Sequence, residues 1–137
     1  MIAHQATVIA IGGRAVMIEG APGTGKSSLA LALIDRGAVL VGDDAVMLAA
    51  DGERMLASPH PRVPGLIEVR NLGLFGMPVA DAVPVALVLM LDPAAPRHIE
   101  AADSVVRAGM VLPMVRLYPD SPVLALRAEM ALARYGA

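Results

Sequence analysis

The octet Gly20-Ala21-Pro22-Gly23-Thr24-Gly25-Lys26-Ser27 holds the only lysine of the chain and fits the spacing G-x-x-x-x-G-K-[ST]. Each fixed position has a task in holding a polyphosphate. The glycines let the backbone curl until its N–H groups face an anion, the lysine ammonium reaches the β- and γ-phosphates, and the serine hydroxyl is placed to ligate Mg²⁺. In a chain of 137 residues a chance match is on the order of one in a hundred, so a nucleotide is the expected ligand.

Phosphoryl transfer also needs carboxylates, one near the metal and one to accept the proton of an attacking hydroxyl. Asp43 and Asp44 follow the apolar run Val39-Leu40-Val41. That places them at the carboxyl end of a buried strand, the edge at which open α/β sheets bind ligands. Adjacent strand residues point to opposite faces, so both aspartates reach one site only if the backbone bends, and Gly42 permits a bend there. Glu68 and Arg70 fall on one face of Leu66-Ile67-Glu68-Val69-Arg70, opposite Ile67 and Val69. They form either a solvated ion pair or part of the site. His4 precedes the first strand, a position at which histidine is usually plain surface.

The elements that must position these groups are legible from periodicity and punctuation. Thr7–Ile11 and Ala15–Glu19 read as strands joined by the turn dipeptide Gly12-Gly13. The octet then lies between a strand and a helix over 27–36, which reads as apolar all round, hence buried, with Gly37 as its C-cap. A hairpin closed by Asp51-Gly52 joins 45–50 to 53–57, a proline-rich loop covers 58–64, and 66–69 resumes as a strand. The stretch holding Gly73, Gly76 and Pro78 reads as irregular, 85–91 as the central strand, and 99–106 as a short helix. A terminal helix is expected over 122–135, with Ser121 as N-cap and Pro122 at its first position.

Composition narrows the choices. The length and an apolar fraction of 56% suit one domain over 1–137. The arginines are scattered from Arg14 to Arg134, net charge is −2, and only Phe75, Tyr118 and Tyr135 are aromatic, so a nucleic-acid partner is not expected. Absence of cysteine is compatible with a reducing compartment. The longest apolar run, 83–91, is about half a membrane span, and the N-terminus has no basic leader, so the expected location is the cytoplasm.

In this order, these pieces resemble HPr kinase/phosphorylase, the bacterial enzyme that phosphorylates a serine of the phosphocarrier protein HPr and reverses that reaction with phosphate. The resemblance runs most strongly from His4 to about Gly76. It rests on His4 before the hairpin, the octet, Arg36-Gly37 leading to Asp43-Asp44 at the family's spacing, and Ile67-Glu68-Val69-Arg70-Asn71-Leu72-Gly73, in which Asn71 replaces a glycine. It implies that Ser27 and Glu68 ligate Mg²⁺ with Asp43 in support, that Asp44 is the proton acceptor, and that Lys26 and His4 are catalytic. It also implies a further catalytic arginine, for which Arg97 is the first candidate and Arg116 the second, and assembly into a homo-oligomer, hexameric in that family.

Departures are equally specific. Ala21-Pro22 stand where the common pattern has an acidic residue and a serine, and the separate N-terminal domain has no counterpart, which implies a short form. The Pro-Val-Arg-Pro-Gly-Arg element linked to dephosphorylation has no clean match, and Tyr118-Pro119-Asp120-Ser121-Pro122 occupies about that place. The expectation is therefore a single α/β P-loop kinase domain of HPr kinase type, a mixed sheet with an N-terminal hairpin and flanking helices, using ATP and Mg²⁺ on HPr. The reverse reaction is left open. A nucleotide-sensing module without transferase activity, or a small-molecule kinase, are the alternatives.

Overall fold

The computed structural model describes residues 1–137. β1 (Ile2–His4) is followed by the hairpin β2 (Thr7–Ile11) and β3 (Arg14–Gly20), then α1 (Lys26–Asp35), β4 (Val39–Gly42), β5 (Val46–Asp51) and β6 (Arg54–Pro59). The chain continues through β7 (Leu66–Val69), β8 (Gly73–Gly76), β9 (Val83–Leu91), β10 (Asp103–Arg107), β11 (Met110–Leu117) and α2 (Leu124–Tyr135). Nine strands form one mixed sheet in the order β1-β5-β6-β9-β3-β2-β4, with β11 also on β9 and β10 beyond it, while β7 and β8 make a separate hairpin.

β9 is the hub. It runs parallel to β3 along one side; on the other it pairs antiparallel with β6 at Val83 and Pro84 and parallel with β11 from Val88 to Leu91. Its apolar sequence is what a strand buried on both faces needs. Alternation divides the neighbours cleanly: Val16 and Ile18 face α1 and α2 in one core cluster, whereas Ala15 and Met17 face the other way. That second face is covered because the sheet curls, bringing Val41 of β4 and Met55 and Ala57 of β6 into one cluster. The carboxyl ends of β3, β9 and β11 come level at Gly20, Leu91 and Leu117. β4 reaches the same edge through β2.

Several elements differ from the sequence reading. The segment expected as a helix over 99–106 is instead β10, in a hairpin with β11. Ala108 and Gly109 at φ 49° and 81° form its turn, and Val105-Val106 supply β-branched residues. Gly73–Gly76 is a strand and not irregular. The β5–β6 turn is Gly52-Glu53, one residue later than expected, and β6 runs through Ser58 to Pro59, which ends the strand where no donor is needed.

α1 is buried on one side only, through Leu29, Ala30 and Leu33, with Ala32 exposed. It ends in a Schellman arrangement: Gly37 at φ 108° donates to Ile34 and Ala38 to Leu33. α2 begins at Leu124, so Pro122 is not its first position, and Ser121 Oγ accepts from the Val123 amide outside the helix. β4 is an edge strand with Val39 exposed.

Candidate active site

Glycine geometry shapes the loop between β3 and α1. A Cβ on Gly20 would lie 2.9 Å from the Leu91 carbonyl oxygen, so the loop leaves the sheet against β9 only with glycine there. Gly23 and Gly25 take φ 81° and 95°, left-handed values open to glycine, and nothing lies within 4 Å of where their Cβ atoms would be. Gly25 caps α1 without a side-chain hydrogen bond, and the amides of Lys26, Ser27 and Ser28 donate to no group in the chain. Unpaired donors at a helix start are what an anion needs. Lys26 Nζ curls onto its own loop, donating to the Gly20 carbonyl at 2.8 Å.

Asp43 ties this loop to β2 and β7. Its Oδ1 accepts from Ser27 Oγ at 2.7 Å and from Thr7 Oγ1 at 3.0 Å, and its Oδ2 accepts from the Glu68 amide at 2.9 Å. The bend that lets both aspartates serve one site lies at Asp44 (φ 70°), not at Gly42, and the Thr7 hydroxyl accepts its amide. Aspartate tolerates that conformation better than most residues. Gly42 is needed for another reason: a Cβ there would sit 2.6 Å from the Ala45 carbonyl. Asn71 takes φ 74°, which explains how asparagine stands in for glycine in that turn.

Asp44, Glu68, Arg70, Lys26 and Ser27 line one cavity of ≈ 170 Å³ whose wall has no hydrophobic residue. Glu68 and Arg70 share its face as the strand period predicts, and they make no ion pair with each other. No cluster of three or more His, Cys, Asp or Glu is present. The donor set suits a cation that keeps most of its ligands as water and phosphate, the usual habit of Mg²⁺.

On the other side of the loop the structure adds a group that sequence reasoning missed. Glu19, 9% exposed, accepts from Arg107 Nη2 at 2.8 Å and lies 2.8 Å from His4 Nε2. Burial alone pushes the Glu19 carboxyl up. Arg107 and His4 outweigh it and hold the group below the usual carboxylate range, while the same pairing raises the Arg107 guanidinium. His4 is not ahead of the first strand but within β1, opposite Val46. One signal for Glu19 was available: a carboxylate ending an otherwise apolar strand directly before the glycine loop. None existed for Arg107, which follows the stretch read as a helix over 99–106.

Arg97 and Arg116 are not brought to this place. Both line a separate cavity against α2, and Arg116 pairs with Asp103 at 2.8 Å. Arg70 shares the loop cavity, and Arg107 pairs with Glu19 just before the loop.

Fold and loop together define an α/β protein with a glycine-rich loop at the carboxyl edge of its sheet. The family model HPr Serine kinase C-terminal domain matches residues 1–82, and the chain belongs to that family. It is 31% identical over 107 residues to the HPr kinase/phosphorylase of Mycoplasma mycoides subsp. mycoides, covering 73% of this chain and 34% of that protein. With the HPr kinase/phosphorylase of Caldicellulosiruptor bescii it shares 35% identity over 99 residues, 66% of this chain and 32% of the relative. The chain thus aligns with about a third of the length of these curated relatives. The solved structure of the Hpr(Ser) kinase/phosphatase from Coxiella burnetii has the same fold, with a TM-score of 0.85, 24% identity, and coverage of 97% of this chain and 95% of that one. That overlap takes in β9 to α2, beyond the family-model match.

Proposed function

We propose that the chain, as one catalytic domain over 1–137, transfers the γ-phosphoryl group of ATP to a serine hydroxyl of the phosphocarrier HPr in a Mg²⁺-dependent reaction. The observation that carries this reading is the 2.7 Å bond from Ser27 Oγ to Asp43 Oδ1, in a loop whose first helical amides are unused. It links the phosphate cup to the carboxylate that a metal requires.

In this reading the loop amides and Lys26 bind the phosphates, Lys26 Nζ exchanging the Gly20 carbonyl for phosphate oxygens. Ser27 and Glu68, supported by Asp43, would hold Mg²⁺, which neutralises charge on the transferring group. Asp44 accepts the proton of the serine hydroxyl as its oxygen bonds to phosphorus and the bridging P–O bond to ADP breaks. Arg97 lies against α2, away from the loop, and Glu19, Arg107 and His4 brace the point where the loop leaves β3.

The β7–β8 hairpin presents Leu72 and Leu74 at 71% and 68% exposure, which suits burial in a homo-oligomer. No helix is long and apolar enough to cross a membrane. Scattered arginines argue against nucleic acid, and the expected location is the cytoplasm.

The test is incubation with labelled ATP, Mg²⁺ and HPr. Wild type labels HPr. Lys26→Ala loses on the order of 10³-fold of that rate, and Asp44→Asn about 10²–10⁴-fold while still binding nucleotide. Label on a metabolite panel and none on HPr would replace this reading with a small-molecule kinase. Undiminished transfer by Asp44→Asn would remove the role of that residue.

A further inference from the structure

A second cavity adjoins the phosphate cup. It measures ≈ 220 Å³ and lies between the start of α1 and the segment leading into α2, sharing Gly25 and Ser28 with the polar cavity of the site. Its chemistry is the opposite of its neighbour's. The first cavity has no hydrophobic residue in its wall; the second has no charged one, and Leu29, Ala32, Leu124 and Ala125 supply an apolar surface.

We infer that this second cavity receives the nucleoside of the donor nucleotide, with Ser28 at the crossing point between phosphates and sugar. The inference rests on the phosphotransferase reading above and extends it to the part of the ligand that the loop motif says nothing about. A nucleotide has the same polarity split as the two cavities, a polyanion at one end and a neutral ring system at the other. The alternative cavity, on the far side of Lys26, has the Glu19 carboxylate in its wall and shares no residue with this one.

Size and lining fix what kind of hold is available. At ≈ 220 Å³ the cavity falls below the roughly 300–1,000 Å³ typical of sites for whole drug-sized ligands, so it suits one ring system with the rest of the molecule outside. No aromatic residue lines it, so the base gains apolar contact and hydrogen bonds without stacking. Ser121 Oγ accepts from the Val123 amide, which leaves its proton free to donate, and the Ala125 amide donates to no backbone carbonyl. The nucleoside therefore adds modest affinity to phosphates that dominate binding.

The experiment is calorimetric titration of ATP and of inorganic tripolyphosphate, both with Mg²⁺, into wild type, Ala32→Trp and Ala125→Leu, with circular dichroism to check folding. Ala32 is exposed on α1 and tolerates a larger side chain; Ala125 narrows the cavity from the opposite wall. The ratio of the ATP to the tripolyphosphate dissociation constant is expected to rise about tenfold in Ala32→Trp and in the same direction in Ala125→Leu. An unmoved ratio in both folded variants, with wild type binding both ligands, overturns the nucleoside site and leaves the proposed function standing. Wild type retaining neither ligand overturns both.

Discussion

Asp43 and Glu19 are carboxylates at the same edge of the sheet, one on each side of the glycine loop, and their partners differ in kind. Asp43 takes two hydroxyls and an amide, all neutral, so its negative charge is oriented without being cancelled. Glu19 takes a guanidinium and an imidazole, and Arg107 alone is enough to balance it. Geometry therefore assigns them different work. A carboxylate held by neutral donors keeps its charge for an incoming cation, whereas one held by cations becomes a clamp joining β1, β3 and β10. Both sites are compact and polar, and only the charge of the partners separates a place to bind something from a place that holds the protein in shape.

Removing charge while keeping shape is the sharpest way to break this comparison. Asp43→Asn is expected to weaken Mg²⁺-dependent nucleotide binding about 10–100-fold, read by titration at several Mg²⁺ concentrations, with unfolding free energy within about 1.5 kcal/mol of wild type. Glu19→Gln is expected to do the reverse. Leaving a part-buried Arg107 without its anion lowers stability by about 1–3 kcal/mol in urea unfolding, while Mg²⁺-dependent binding changes little. Equal behaviour of the two variants would erase the distinction.

A smaller effect sharpens it further. Because the folded Glu19 carboxyl lies below its unfolded value of about 4.3, its contribution is complete above that pH and disappears as pH falls through the folded value. The groups facing it are Arg107 and His4, with Lys26 on the adjoining cavity wall. The stability gap between wild type and Glu19→Gln therefore narrows as pH falls below about 4.3. A gap that widened below that pH would contradict the clamp.

How much of this was legible in the chain depends on how far apart the interacting residues are. The β2–β3 hairpin, the loop octet and the start of α1 were legible because they are local: Gly12-Gly13 and the glycines at 20, 23 and 25 permit backbone conformations that few other residues adopt. The β10–β11 hairpin was not, because Ala-rich flanks and Pro113 hide its alternation, and Pro113 is tolerated only as its pairing with Ser104 allows. Arg97, offered on the resemblance, lies against α2 in the structure, a position that no local pattern encodes.

Taken alone, the sequence determined that a glycine-rich loop with one lysine and a serine joins the second strand of a hairpin to a helix, and that two aspartates follow the next strand toward the same edge. Those are matters of spacing along the chain and of which residue types allow positive φ. Only the tertiary structure decided that Thr7 and Ser27 share Asp43, that the bend lies at Asp44, and that Glu19 meets an arginine 88 residues away. Partners so far apart are set by strand order and register across a curled sheet, and that order comes from burying both faces of β9 and β3 together. No local pattern encodes it.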